Sequence, residues 1–266
     1  MNPPAEVAPW IARLARVGYV AKAILYGTIG ILAAQLALGS GGRTTDTRGA
    51  LRELMGAPYG RAMLIVIAVG LFGYAVWAFV RAFTDAEGRG TSAKGIALRI
   101  GDVVRGIAHG GLALAAVRLA RGDGGSGGDG TREWVGRAMG TSFGEVLLWA
   151  AAAGIAGYGL YQLYRSWAAK LSRRLAIAEL PPGTARWIIA VSRFGIAARG
   201  VVFCLIAWFL ARAAAQHDPS EAGGVRESLQ TLADAGRWPL ALVALGLVAY
   251  GVYELVNARY RRIQVT

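Results

Sequence analysis

A seven-residue frame occurs three times in this chain, and each copy opens a long apolar run. The copies read RVGYVAK (16–22), RIGDVVR (99–105) and RFGIAAR (193–199). Each consists of an arginine, an apolar residue, a glycine, three variable residues and a second cation. A frame that recurs in this way predicts an array of structural repeats, because each copy specifies the same supersecondary unit.

Two further markers follow each copy in the same order. The first is an Arg-Glu pair, at Arg52-Glu53, Arg132-Glu133 and Arg226-Glu227. The second is a Gly-Tyr arm, which reads GLFGYAVW (70–77), GIAGYGLY (154–161) and GLVAYGVY (246–253). These ordered markers predict three repeats, at about 12–90, 95–170 and 186–262, within a single membrane domain that covers 1–266.

Each repeat contains two apolar windows long enough to cross a bilayer. About 20 apolar residues form a helix that spans the ~30 Å hydrocarbon core. The windows are roughly 17–38, 60–82, 100–120, 143–165, 194–215 and 238–258. Composition agrees, because 55% of the residues are hydrophobic and 17% are charged, whereas soluble proteins average about 45–50% and about 25%. We therefore predict an all-α integral membrane protein with six transmembrane helices.

The repeats also predict the topology. Two spans return the chain to its starting side, so the repeats are three parallel two-helix hairpins. If they pack in a ring, pseudo-threefold symmetry about the membrane normal follows. The net charge is +13, and most of the excess Lys and Arg lies on the side of the chain ends. Positive charge marks the cytoplasmic side, so we predict cytoplasmic N- and C-termini in a multi-pass protein of a bacterial plasma (inner) membrane.

The second cation of each motif, at Lys22, Arg105 and Arg199, is the main candidate for function. Only ~18 Å of helix separates Arg105 from Arg118, so some of these arginines lie at hydrocarbon depth. The favoured interpretation is snorkelling, in which the side chains reach back to the cytoplasmic headgroups and bind anionic lipid.

Two alternatives to snorkelling remain open. The three cations could form an inward-facing basic ring that attracts a small anion, a lipid headgroup or an acidic partner residue. They could also pair with internal acids, for which Asp102 and Glu254 are candidates. The candidate binding residues also include the first motif arginines, Arg16, Arg99 and Arg193, which lie one layer further out than the second motif cations.

The motif glycines and tyrosines are predicted to pack helices together. Small residues let transmembrane backbones approach closely, and a tyrosine four residues after a glycine lies on the same helix face. The glycines are Gly18, Gly101 and Gly195 in the first motif and Gly70, Gly154 and Gly246 in the Gly-Tyr arm; the tyrosines are Tyr74, Tyr158 and Tyr250.

The sequence contains no recognisable catalytic or metal-binding motif. Its two histidines, His109 and His217, are far apart, and the single Cys204 excludes a disulfide within the chain. The positive charge lies at the edges of apolar runs, whereas nucleic-acid binding needs a soluble basic face. We therefore expect no catalytic residues, no cofactor, no metal and no nucleic acid. The expected partners are membrane lipids or a membrane protein.

Taken together, the three R-x-G starts with their following cation, the Arg-Glu element and the G-x-x-[G/A]-Y arm resemble the bacterial membrane family called domain of unknown function 1206. The resemblance covers about residues 12 to 262 and implies six spans, three tandem copies and a plasma-membrane location. It brings no catalytic or binding residues.

Three hypotheses for function remain. The first is non-enzymatic binding of anionic lipid or a membrane partner through the cytoplasmic-side Arg/Lys layer. The second is a transporter or channel for a small anion, with the three motif cations as its central site. The third is a membrane enzyme with an unrecognised site.

Overall fold

The computed structural model describes residues 9–85, 88, 90–123, 130–168 and 180–261, and the secondary structure in these ranges is helical. Six of its helices are long and apolar enough to cross a membrane, as predicted. They are α1 (Pro9–Ala37), α3 (Gly60–Thr84), α4 (Ala93–Arg121), α6 (Gly144–Ala168), α7 (Pro182–Gln216) and α9 (Arg237–Tyr260). Between them lie the short helices α2 (Thr47–Met55), α5 (Gly130–Met139) and α8 (Val225–Asp234), and a 3₁₀ turn at Pro219–Glu221.

Local sequence signals set several helix ends. The carboxylate of Asp46 accepts a hydrogen bond from the Gly49 N–H at 2.7 Å and so caps α2. Ser92 caps α4 through the N–H of Gly95. Such caps satisfy amide groups that the first helical turn leaves unpaired. Helix α4 is followed by its C-cap, Gly122, whose φ of 89° is a left-handed conformation that glycine adopts without strain.

Three long helices begin well before their predicted apolar windows. Helix α1 starts at Pro9, α4 at Ala93 and α7 at Pro182, whereas the windows begin near 17, 100 and 194. A hydropathy window detects only the apolar part of a helix, and here the helix continues through more polar turns. Proline at the start of α7 suits a first helical turn, because that position needs no N–H donor.

The short helices contain the Arg-Glu markers, one pair in each repeat. Each short helix buries one apolar face, represented by Leu51 in α2, Val135 in α5 and Leu229 in α8. These side chains are at most 1% exposed. The marker therefore belongs to a capping helix that packs on the ends of the long helices, opposite the chain ends.

The six long helices pack in the order α4–α3–α1–α9–α7–α6. The second long helix of each repeat packs on the first of another repeat, at α3–α4, α6–α7 and α9–α1. Within a repeat, α1 packs on α3 and α7 on α9. In the described part of the chain, α4 and α6 of the second repeat make no contact of comparable extent.

The motif tyrosines lie at the interfaces between repeats. Each packs against a ring from the first long helix of another repeat, at a repeat-equivalent position. The pairs and their ring-centroid distances are Tyr74–His109 at 4.6 Å, Tyr158–Phe203 at 5.0 Å and Tyr250–Tyr26 at 4.7 Å. Edge-to-face and tilted arrangements at such distances are favourable for aromatic pairs.

The motif glycines of the first and third repeats lie at close helix contacts. A Cβ built on Gly18 would lie 2.6 Å from the carbonyl oxygen of Gly70, and one on Gly195 would lie 2.6 Å from Cα of Tyr250. A Cβ on Gly246 would overlap the Cβ of Ala198. Any larger residue would force these helices apart.

The second repeat differs. Cβ atoms built on Gly101 and Gly154 would meet no atom within 4 Å among the described residues. The close packing expected at these two positions is therefore absent, because α4 and α6 stand apart.

Candidate functional site

A cavity of about 90 Å³ brings the three second motif cations together. Lys22, Arg105 and Arg199 line it from α1, α4 and α7. Arg81 and Arg165, in the last turns of α3 and α6, also line it. The cavity therefore lies in the half of the bundle that carries the chain ends.

Two of these motif cations are buried. Lys22 is 5% exposed and Arg199 is 9% exposed, while the Arg105 side chain is 27% exposed. Snorkelling requires the side chain to run along the lipid surface to the headgroups. The snorkelling interpretation is therefore wrong for Lys22 and Arg199, which point into the protein.

Lys22 pairs with an acid from the other end of the chain. Its Nζ lies 2.7 Å from Oε1 of Glu254, and the two side chains are 6% and 2% exposed. The ammonium group also lies 4.4 Å from the ring centroid of Tyr74, within cation–π range. The second alternative to snorkelling, pairing with internal acids, therefore describes Lys22.

Arg105 shares an acid with a second arginine. Asp102 is fully buried, and its Oδ1 accepts from Arg105 one turn later and from Arg81 of α3 at 3.1 Å. One carboxylate thus faces two guanidinium groups.

Arg199 is held by aromatic residues. Its described hydrogen bonds go to the hydroxyl groups of Tyr26 at 3.0 Å and Tyr158 at 2.9 Å. Its guanidinium carbon lies 4.7 Å from the ring of Phe203 and 4.9 Å from that of Tyr250. Such contacts suit a planar cation, but they supply no negative charge.

The second motif cation of each repeat lies over the motif tyrosine of the same repeat. The pairs are Lys22–Tyr74 at 4.4 Å, Arg105–Tyr158 at 5.2 Å and Arg199–Tyr250 at 4.9 Å. The two sequence markers are therefore the two halves of one cation–π contact, which explains why a cation recurs so deep in an apolar segment.

Sequence reasoning missed three further cations of the cavity, Arg81, Arg165 and Arg261. Arg81 and Arg165 occupy the same position of the Gly-Tyr arm, where the third repeat has Asn257, so an alignment of the arms could have found them. Arg165 donates to the Tyr253 hydroxyl at 2.6 Å.

The lining of the cavity is strongly cationic. Among the described residues, six cations line it: Lys22, Arg81, Arg105, Arg165, Arg199 and Arg261. Glu254 is the acid in the lining, and Asp102 stands behind it. Among the described lining residues, cations therefore outnumber acids.

The first motif arginines do not line this cavity. Arg16 and Arg193 are exposed. The Nε of Arg99 donates to the carbonyl oxygen of Ala82 at 2.6 Å, near the end of α3, as basic side chains do at helix C-termini. The first and second motif cations, which were predicted to share one binding layer, are thus separate, and among them only the second motif cations line the cavity.

His109 is packed as a polar ring. Its Nδ1 lies 2.8 Å from the carbonyl oxygen of Arg105, and its ring packs on Tyr74. The described ranges contain no group of three His, Cys, Asp or Glu side chains placed to hold a metal ion.

A larger cavity, of about 600 Å³, lies in the other half of the bundle. Apolar residues of α4, α6 and α7, such as Leu112, Ile155 and Ile206, form its walls, and residues of the three short helices surround it. About one helical turn separates it from the cationic cavity, since Leu112 follows His109 and Ile155 precedes Tyr158.

These features define a six-helix membrane protein of three hairpin repeats around a buried cationic site. The family model for the Domain of Unknown Function (DUF1206) matches residues 17–85, 100–169 and 194–261, so the chain belongs to this family and the three tandem copies are confirmed. The chain is 31% identical over 260 residues to the Uncharacterized protein YxxB of Bacillus subtilis (strain 168), over 97% of this chain and 94% of that protein. No solved structure matches.

Proposed function

We propose that this protein is non-enzymatic and binds an oxyanion of the phosphate type in the cationic cavity. One observation carries the proposal: repeat-equivalent cations from three different helices meet at one site, and the buried Arg199 among them has no carboxylate partner in the described structure. A buried ion without a counter-charge costs several kcal/mol, and a bound anion offsets that cost. Arginine in particular presents donors in a geometry that matches phosphate.

The same proposal includes the arrangement of the repeats. Three equivalent tyrosine–ring pairs and three equivalent cation–tyrosine pairs support pseudo-threefold symmetry about the membrane normal. The excess of Lys and Arg on the side of the chain ends supports cytoplasmic termini. In a bacterial plasma membrane, the cavity would then lie in the cytoplasmic half of the bundle.

Transport of a small anion is the second candidate. The 600 Å³ cavity on the opposite side favours it, because only about one helical turn separates the two cavities. If the protein transports anions, proteoliposomes should take up radiolabelled phosphate faster than protein-free vesicles. Binding without uptake would leave the protein as a receptor or scaffold.

The test of anion binding uses one cation that can be neutralised cleanly. Arg199 has hydroxyl rather than carboxylate partners in the described structure, so Arg199→Gln strands no acid. Arg118→Gln, at an exposed position of α4 outside the cavity, is the matched control. Isothermal titration of the detergent-solubilised protein with pyrophosphate should show at least about tenfold weaker binding for Arg199→Gln, equivalent to about 1.4 kcal/mol, and no change for Arg118→Gln.

Absence of pyrophosphate and phosphate binding by the folded wild type would overturn the proposal. Equal affinity of the wild type and Arg199→Gln would remove the cavity as the site. Arg193→Gln then tests the exposed first layer, because weakened binding in that variant would move the site to the protein surface.

A further inference from the structure

One position of the second repeat is exposed although the equivalent positions of the other two repeats are buried. Seven residues after the motif glycine, Leu25 of the first repeat and Val202 of the third are 2% and 3% exposed. The equivalent residue of the second repeat, Ala108, is exposed. The inner face of α4 is therefore not covered by the other long helix of its own repeat.

Helix α6 shows the same difference. Gly73 of the first repeat is buried, and a Cβ on it would lie 2.8 Å from Cβ of Leu14. The equivalent Gly157 is exposed and has no neighbour within 4 Å, like Gly154. We call the gap between Gly101 and Ala108 of α4 and Gly154 and Gly157 of α6 the α4–α6 crevice. Its walls are apolar and almost without side chains.

The crevice leads to the cationic cavity. Arg105 of α4 and Tyr158 of α6 approach each other across it, with the guanidinium carbon 5.2 Å from the ring centroid. The Arg105 side chain is 27% exposed, against 6% for the equivalent Lys22. The membrane-facing gap and the charged site are therefore continuous at this arginine.

A buried side-chain oxygen without a described hydrogen-bond partner belongs to a residue that lines the cavity. Gln162 of α6 is 2% exposed and lines the cavity. Its Oε1 has no hydrogen-bond partner among the described residues. A buried polar atom of this kind usually has a partner. An amide oxygen accepts hydrogen bonds, so the ligand group that suits it is a hydroxyl donor, such as one of a lipid headgroup, rather than the phosphate itself.

We propose that the α4–α6 crevice is a lateral entrance for an anionic phospholipid, whose phosphate group occupies the cavity while an acyl chain lies along the glycines of the crevice. This inference rests on the proposed anion site and names its ligand. An apolar opening at hydrocarbon depth does not stabilise a free ion, whereas a lipid carries an apolar chain and a phosphate on one molecule. The positive charge of the site complements the negative charge of the phosphate, and the small side chains of the crevice leave room for the acyl chain.

The experiment fills the crevice without touching the cations. Gly154→Leu places a side chain where the structure has free space. Gly183→Leu is the matched control, because Gly183 is also exposed and has no neighbour within 4 Å but lies in the first turn of α7, on neither wall of the crevice. Each protein is purified in mild detergent and incubated with phosphatidylglycerol or phosphatidylcholine, and bound lipid is counted by native mass spectrometry. Pyrophosphate affinity is measured in parallel.

We expect the wild type and Gly183→Leu to retain phosphatidylglycerol in preference to phosphatidylcholine. Gly154→Leu should retain it about tenfold more weakly, with its pyrophosphate affinity unchanged. Equal phosphatidylglycerol retention in wild type and Gly154→Leu would overturn the lipid entrance, while pyrophosphate binding would still support the anion site.

Two other outcomes would also overturn the inference. If the folded wild type does not bind pyrophosphate, the proposed anion site is refuted, and the lipid entrance that depends on it is refuted with it. Dimer masses that replace lipid adducts would show that a second copy covers the crevice, and would overturn the inference. If Gly154→Leu unfolds, Gly101→Leu fills the crevice from the opposite wall and is held to the same comparison.

Discussion

The buried pair of Lys22 and Glu254 permits a quantitative test of the charge arrangement. At 2.7 Å and an effective dielectric constant of about 20, the attraction between the two charges is about 6 kcal/mol. Desolvation of two buried ions takes back much of this amount, so the net stabilisation by the pair is small. Removal of one partner is different, because the remaining charge stays buried without compensation and costs about 3–5 kcal/mol.

The test is a double-mutant cycle. Lys22→Met and Glu254→Gln should each lower the free energy of unfolding by about 3–5 kcal/mol, whereas the double variant should lose less than either single variant. Unfolding is followed by circular dichroism as the mole fraction of SDS rises in mixed micelles. The coupling energy should be about 3 kcal/mol or more, well above the few tenths expected of independent sites. If the losses of the single variants simply add in the double variant, the two residues do not form the buried pair.

Three further predictions concern other positions. Gly70→Leu should lower the free energy of unfolding by about 1–3 kcal/mol or more, because its Cβ would lie 2.8 Å from a backbone carbonyl oxygen of α1; Gly154→Leu should stay within about 0.5 kcal/mol, and equal losses in the same SDS titration would contradict the open α4–α6 crevice. Asp102→Asn should cost about 3–5 kcal/mol, because two arginines lose their shared carboxylate; a thermal melt in detergent identical to wild type would show that they do not depend on it. Burial raises the pKa of the Glu227 carboxyl, but hydrogen bonds from the Gly224 N–H and a neighbouring arginine outweigh it and leave the pKa below its usual value. The stability that Glu227 gives is therefore present above its unfolded pKa of about 4.3 and lost as the pH falls through the lower folded value. The wild type should exceed Glu227→Gln in stability at neutral pH and match it in strong acid, and a gap independent of pH would contradict this account.

The six helices and three repeats could be predicted from sequence because they depend on local properties. Apolar length specifies a transmembrane helix, and the repeated markers show which helices are equivalent. The capping helices could be recognised in the same way, since Leu51 and Leu229 lie on apolar faces of short amphipathic segments. The helix starts were less predictable, because polar turns extend α4 and α7 beyond the apolar windows.

The cavity could be predicted only in part. Its three motif cations were identified, and an inward-facing ring was one of the alternatives. The partner of Lys22 could not be assigned, because Glu254 lies in a different repeat and its equivalents are Ala78 and Gln162. The open second repeat could not be predicted at all, since Gly101 and Gly154 satisfy the same motifs as glycines that do pack. Whether two helices meet depends on the whole ring, and no single motif contains that information.

The contact between α1 and α9 has a consequence for biosynthesis. Lys22 enters the bilayer with α1, and Glu254 follows only with α9. A lysine near the centre of an inserted helix costs about 2.5–3.5 kcal/mol on scales derived from translocon insertion. The nascent protein therefore carries this cost until α9 is inserted, and a chain truncated before α9 retains the Lys22 charge without its described partner. Insertion of α9 and neutralisation of the Lys22 charge are thus the same event.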